Sequence, residues 1–537
     1  MITGSEVIFG GDLKTAYRMS KTLVVGLDGA RLDVVQKWAD EGYLPTISKL
    51  LSDGIASELK SVYPIHSFAA WTAFETGQTP ANHGIYDIQL RGNGSYNRVP
   101  PSTNKLKTKT IYERLSDAGY TVGSINFPIA FPPRKVNGMT VAGSLTPSTK
   151  HPFAYPSDVC EKLRSQGYKI LPSTSPSDKE AYIREVYELH QQRVDIASWF
   201  MDNHEWDLLS VLFLGTEILH HHFGVFLDED HVHYNPGYEE VIREFYQEVD
   251  QNLARLIEQA GEDTNVIVLS DHGFTPYYGK LYLNSWLREH GFLQLKSGVG
   301  ETMSRLSTEM LEFGKQHFKK YLPYLPKHLQ QFAIEKAGGG AGGFDLQLVD
   351  WSNTKAYVPL LDGGISINLQ GREPHGTVPR SEFESVRNEI IEAVENDNRL
   401  DGIIGSLIKK EDLYHGDDLN KMSDLFIDFE RKYKVKISPD EASVIKDAES
   451  INHLNENSCQ HTLNGVLLAD GPDITSDLIV SNPCLYDVST TILNMCRVPL
   501  APCDGKILWE GHAQSTTFSE MDQINQAVST VSFNAEI

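Results

Sequence analysis

At 537 residues the chain is longer than one small core can organise, and 40% hydrophobic with 22% charged residues is the composition of an ordinary globular protein. A formal net charge of −24, from 72 acidic against 48 basic residues, argues against non-specific binding to nucleic acid or to an anionic membrane, since both need a basic surface. A small anionic substrate stays open if local cations, metal ions included, reverse the field in one pocket. Cys160, Cys459, Cys484, Cys496 and Cys503 form no Cys-x-x-Cys pair and are odd in number, which points to a reducing compartment and packed thiols. Cys459, two residues before His461, reads as a packed thiol ahead of a metal or redox group. Residues 1–20 carry no sustained apolar run and no stretch approaches eighteen apolar residues, so no targeting segment or membrane span is expected, and the cytoplasm is the expected location.

Residues 1–21 read as an N-terminal extension, and the core begins with Thr22-Leu23-Val24-Val25-Gly26-Leu27, a buried parallel strand ending at Asp28-Gly29. A helix is expected over 34–51, a strand over 59–63, and then a helix from Ser67 to Gly77 with Ser67 at its mouth. Ser is a favoured N-cap, and a helix start offers unpaired N–H groups and a partial positive charge where phosphate would be held. By itself such a serine is usually a cap and nothing more. A helix near 110–118 and strands over 120–126 and 139–143 follow. The chain then turns polar and Pro/Ser-rich between Pro147 and Tyr182, as a loop or insertion. Helix 185–199, strand 206–214, helix 239–259 and strand 265–269 complete the first part of the core, to residue 296. This alternation predicts an α/β fold, a doubly wound, mainly parallel sheet flanked by helices, with ligands outside the carboxyl ends of its strands.

Residues 297–345 are helical in pattern and locally basic, and they end in Gly338-Gly339-Gly340-Ala341-Gly342-Gly343. They read either as a helical cap with a glycine hinge or as an insertion packed on the body or on a second subunit of a homo-oligomer. The second part of the core, 346–512, has strands at 355–358, 364–368 and 423–429, a helix at 382–394, an irregular excursion over 431–458 and a closing helix at 485–495. Residues 513–537 form a polar tail.

Glu217 and His221 are four apart, so on a helix they share a face and can converge on one ion; His220, at the i+3 spacing, is nearly as well placed. Asp271-His272 at a strand end can offer two adjacent ligands. Taken singly, each has a bland reading as a surface pair or a turn.

Taken together, these segments resemble the alkaline phosphatase superfamily, in particular its type I phosphodiesterase/nucleotide pyrophosphatase branch and the related phosphohydrolase/phosphomutase group. The resemblance rests on Val-Val-Gly-Leu-Asp28-Gly, Ser67 with Ala-Ala-Trp71 and Thr76-Gly77, Asn82-His83-Gly84-Ile85, and Phe-Leu-Gly-Thr-Glu217 with His221. It continues through Val-Leu-Ser-Asp271-His272-Gly, His461 with Gly465-Val466, and Tyr486-Asp487-Val488 with Asp504-Gly505-Lys506, in family order from about 22 to 508. It implies an alkaline phosphatase-like fold and two divalent metal ions, Zn2+ or Mn2+. One ion would be held by Glu217, His221 and His461, the other by Asp28, Asp271, His272 and the Ser67 oxygen. Ser67 would attack in line to give a phosphoseryl intermediate in the hydrolysis of a phosphodiester or pyrophosphate bond of a small anionic phosphate ester. A coordinated hydroxyl and two ions about 4 Å apart suit that chemistry. In the family the position of Glu217 is usually Asp, so the first site is shifted, retuned or weakened; the nucleophile is often Thr, which offers the same oxygen. His83 is assigned to structure. Asn126, after a predicted strand, and Arg31, beyond Asp28, are weaker candidates for substrate contact. Ser67 lacks the C/S-x-P-x-R pattern of sulfatases, no spanning helices support a phosphoethanolamine transferase, and His66 departs from the Asn-Ser context of cofactor-independent phosphoglycerate mutases. The alternatives are a phosphomonoesterase or phosphomutase, or a non-catalytic binding protein whose first metal site is degraded.

Overall fold

A computed structural model describes residues 20–92, 95, 96, 98–296, 348–360, 363–439, 441–451, 457–474 and 480–509. The helical insertion expected at 297–345 and the tail at 513–537 lie outside them, as does nearly all of the N-terminal extension. Eight strands form the central sheet: β1 (Lys21–Leu27), β2 (Ile55–Lys60), β3 (Val122–Ile125), β4 (Gly138–Val141), β5 (Ala154–Tyr155), β6 (Leu208–Phe213), β7 (Thr264–Leu269) and β8 (Asn464–Asp470). Their order across the sheet is β2-β8-β7-β1-β6-β3-β4-β5. β1 pairs in parallel with β6 and β7, and β3 with β6 and β4. β8 runs against both its neighbours, and β5 runs against β4.

Apolar residues on both faces of these strands explain the parallel pairing. Leu23, Val25 and Leu27 of β1 enter one buried cluster and Val24 enters another; β6 and β7 alternate likewise. A third core, from Leu281 to Val444, gathers the short strands and helices of the later half around Trp286, Tyr357 and Ile390.

The elements follow the sequence pattern with local departures. The helix expected over 34–51 is two, Leu32–Asp40 and Pro45–Asp53, because Gly42 at φ +83° turns the chain and Pro45 starts a new helix. The second strand lies earlier than expected, at Ile55–Lys60. The polar 147–182 segment contains β5 and the helix Ser157–Ser165, held by buried Val159, Cys160 and Leu163. The closing helix is Leu485–Met495. Among the described residues no helix is long and apolar enough to cross a membrane.

Candidate active site

The carboxyl ends of β1, β6 and β7 converge, and each delivers its residues through the turn that follows. β1 ends at Asp28, which is wholly buried, and Gly29 takes φ +72° to turn the chain; a Cβ there would meet the Phe274 ring at 2.7 Å. The Gly29 N–H donates to Asp271 Oδ1 at 3.3 Å, tying the ends of β1 and β7 together. Helix Gly215–Phe223, after β6, carries Glu217 and His221 on one face. Thr216 Oγ1 donates to the Asp28 carbonyl at 2.6 Å and fixes that helix against β1. His461 arrives differently. Strand Cys459–Thr462 pairs antiparallel with Gly273–Pro276, so His461 lies opposite Phe274. Because β8 runs against the sheet, its start lies at the edge where β7 ends.

Ser67 opens helix Ser67–Thr76, but the cap is His66: its Nδ1 accepts from the N–H groups of Phe68 at 3.1 Å and Ala69 at 3.5 Å. That corrects the expectation of a serine cap and leaves the Ser67 hydroxyl free for the site. Ser67 Oγ lies 3.1 Å from Glu217 Oε1, 3.2 Å from His272 Nε2 and 3.5 Å from Asp28 Oδ1.

Three imidazoles face this hydroxyl or its neighbours. Each places Nδ1 near a backbone carbonyl: His272 on Gly273 at 3.1 Å, His461 on Ile65 at 3.0 Å, His221 on Cys459 at 3.4 Å. A carbonyl only accepts, so in the neutral rings of His272 and His461 Nδ1 carries the proton and Nε2 presents a lone pair, whereas His221 Nδ1 also lies 3.3 Å from the Asn457 amide nitrogen. Those three Nε2 atoms meet carboxylates: His221 and His461 lie 3.3 and 3.4 Å from Glu217 Oε1, and His272 lies 3.1 Å from Asp271 Oδ2 and 3.7 Å from Asp28 Oδ1. The rings of His272 and His461 stack at 3.8 Å.

Lone pair facing lone pair is repulsive unless a proton or a cation lies between. Asp271 Oδ2 and His461 Nε2 are buried without a hydrogen-bond partner, as a missing cation would leave them. Burial, then the charges of Asp271 and Glu217, pushes Asp28 well above the usual carboxylate range, against the Trp71 N–H that donates to it at 3.0 Å. Burial and Glu217 push Asp271 up in the same way. Burial also raises Glu217, but the nearness of His221 and His461 outweighs it and holds Glu217 well below its ordinary value. Burial, reinforced by His461, keeps His272 neutral well below its usual range. Ligating atoms lie within 4.8 Å of one another in two groups, Glu217-His221-His461 and Asp28-Glu217-His272. A carboxylate and imidazole set of this kind suits Zn2+ or Mn2+. The residues therefore fit divalent ions.

A family model for type I phosphodiesterases/nucleotide pyrophosphatases matches residues 22–456. The chain belongs to that family. As a family member it is an enzyme, a hydrolase acting on phosphoric ester bonds. Phosphonoacetate hydrolase from Sinorhizobium meliloti 1021, in complex with phosphonoformate, shares its fold with TM-score 0.56 at 15% identity, over 88% of this chain and 95% of that one. An inactive variant of murine ectonucleotide pyrophosphatase/phosphodiesterase 5, in complex with AMP, gives 0.50 at 13% identity, over 91% and 97%. The shared fold is α/β, a mainly parallel eight-stranded central sheet flanked by helices. No curated protein matches the sequence.

Of the residues singled out from sequence, the structure gathers Asp28, Ser67, Glu217, His221, Asp271, His272 and His461. It separates His220 from them: that ring lies 3.3 Å from the Tyr246 hydroxyl, and burial holds it neutral down to about 3. Cys459 is buried beside Gly224 and enters neither ligand group. Asn126, at φ +74°, spends its amide on the Leu212 carbonyl at 2.9 Å and on Arg193 at 3.3 Å. Arg31 pairs with Asp33 and donates to the Phe274 carbonyl at 3.1 Å. Trp71 was legible only as part of a motif. It stands four residues after Ser67 on the same helix, and that spacing foretells a side chain at the foot of the site.

Proposed function

We propose that the enzyme hydrolyses phosphodiester or pyrophosphate bonds of small anionic substrates, with Ser67 as nucleophile and two divalent ions, Zn2+ or Mn2+, in the site. The observation that carries this reading is the placement of the Ser67 hydroxyl within 3.5 Å of Glu217, His272 and Asp28, among buried bare nitrogens and carboxylates. Glu217, His221 and His461 would hold one ion; Asp28, Asp271 and His272, with the Ser67 oxygen, the other. When bound, the ions supply Lewis acidity toward a phosphoryl oxygen and lower the pKa of a coordinated hydroxyl.

The chain's own residues do the rest. The Ser67 proton has two acceptors in reach, Glu217 Oε1 and His272 Nε2, so the hydroxyl can turn its lone pair outward toward phosphorus. The first N–H groups of helix Ser67–Thr76 after Ser67 are taken within the chain, those of Phe68 and Ala69 by the His66 ring and that of Ala70 by the His66 carbonyl. Attack of Oγ on phosphorus, with its proton passing to Glu217 or His272, breaks the bond to the leaving oxygen, which takes up a proton, and leaves on Ser67 a phosphoryl group that still carries the second substituent; attack by water on that phosphorus then frees Ser67 and releases the monoester. Trp71 and the Gly29 N–H fix Asp28 and Asp271, so neither carboxylate must be reorganised when substrate enters. The five cysteines are all free, which suits a cytoplasmic protein.

The test is turnover of a chromogenic diester beside the corresponding monoester, with Zn2+ or Mn2+ added to chelator-stripped protein. Preferential diester cleavage that Ser67→Ala abolishes supports the reading. Cleavage that survives Ser67→Ala overturns the covalent route, and monoester preference moves the enzyme to the phosphomonoesterase class.

A further inference from the structure

We propose that Glu217 is a shared ligand that bridges the two ion positions and couples their occupancy. The inference rests on the two-ion reading above and adds to it a linkage between the ions. Glu217 is the one residue common to both ligand groups among the described residues, joining His221 and His461 on one side and Asp28 and His272 on the other. Its Oε1 stands 3.3 and 3.4 Å from the two imidazoles of the first group and 3.1 Å from Ser67 Oγ, the oxygen assigned to the second.

The side-chain length explains this reach. Glu217 sits on helix Gly215–Phe223, which the Thr216 hydroxyl anchors to the Asp28 carbonyl, so its Cα cannot drift toward Ser67. Aspartate at this position would end one carbon–carbon bond earlier, about 1.5 Å. Its carboxylate would stay with His221 and His461 and withdraw from Ser67. The extra methylene therefore carries Glu217 Oε1 to the boundary between the two ligand groups.

A bridge predicts coupled loss. Full-length protein, stripped with chelator and refilled with Zn2+, is measured for ions bound per chain and for stepwise dissociation constants; Mn2+-loaded samples are read by electron paramagnetic resonance. Wild type should bind two ions and show a spin-coupled Mn2+ pair. Glu217→Gln, nearly isosteric, should weaken both ions by at least about tenfold, as loss of a ligand or its support does. Glu217→Asp should keep the first ion and weaken the second by a similar factor, abolishing the spin coupling. His461→Ala should weaken the first ion alone. Thermal melting in chelator shows that each variant is folded. If Glu217→Gln or Glu217→Asp loses only the first ion and keeps the second at wild-type affinity, Glu217 serves one site and the bridge is wrong. A wild type that takes up fewer than two ions removes the two-ion reading itself, and the bridge falls with it.

Discussion

Asp271→Asn should change the sign of its effect with the metal content of the protein. In the wild type, Asp271 Oδ1 accepts the Gly29 N–H at 3.3 Å, while Oδ2 is buried without a hydrogen bond, 3.1 Å from the His272 nitrogen that faces it. An asparagine keeps the Gly29 contact and turns its NH2 toward His272 Nε2, whose proton is on the other nitrogen because Nδ1 serves the Gly273 carbonyl. A repulsive contact becomes a hydrogen bond, and the repulsion with Glu217 goes. Relieving a buried unsatisfied group of this kind is worth about 1–3 kcal/mol, which is about 1–3 °C in Tm for a chain this long. With Zn2+ the sign reverses, since each tenfold loss of ion affinity removes about 1.4 kcal/mol of binding stabilisation.

The assay is thermal melting of both proteins at pH 8, in chelator and in excess Zn2+. The Asp271→Asn variant should melt above wild type in chelator and below it in Zn2+. The chelator gap should close as pH falls toward about 4. The raised folded pKa means that the unfolded chain gives up this proton first as pH rises, so the wild-type penalty exists only above the ordinary carboxylate range. A variant that melts below wild type in both conditions would refute the reasoning, because Asp271 would then be stabilising without a cation.

Trp71→Phe removes the indole N–H that donates to Asp28 Oδ2 at 3.0 Å; ion affinity measured by competition with a chelator should fall about 10–100-fold, with the fold retained by circular dichroism. Glu75, buried in the last turn of helix Ser67–Thr76, is pushed up to about 8 by burial and then by Glu113. The folded protein keeps this proton while the unfolded chain releases it, so stability falls by a few kcal/mol, in order of magnitude, between pH 4.5 and about 8. Glu75→Gln should therefore gain on wild type in denaturant titrations as pH rises through that window, and equal gains at every pH would contradict the assignment. Asn126→Ala loses its ties to Leu212 and Arg193 and puts alanine at positive φ; Tm should drop while KM for the diester moves less than about twofold, whereas a large rise in KM would return Asn126 to the substrate.

The parallel strands were legible because burial on both faces leaves uninterrupted apolar runs, as in β1 and β6. Their carboxyl ends then located Asp28 and Asp271-His272. Periodicity could not choose between His220 and His221, since both sit within one turn of Glu217. The fold decides: the neighbouring strand Cys459–Thr462 offers His221 a backbone carbonyl, while Tyr246 and Phe274 enclose His220. His66 hid for a different reason. Histidine is not among the usual caps, and Ser67 beside it is, so local statistics favoured the wrong residue. Glu217 was visible as a departure from the family pattern, but not its contact with Ser67, which depends on a separation of 150 residues closed by β-sheet topology.

The place of β8 bears on how the protein is made. β2 pairs only with β8 in the sheet, so the strand that leads to Ser67 has no partner until β8 inserts between it and β7. The same insertion sets His461. During synthesis Asp28, Glu217 and Asp271 can take their places on β1, β6 and β7 well before residue 464 leaves the ribosome, and at about 5–20 residues per second the wait is of order 10–40 s. The chain between β7 and β8, neighbours in the finished sheet, carries the residues of the third core. Ser67 and His461 thus both depend on the placing of β8, and a nascent chain holds neither in position until residue 464 and the strand after it have emerged.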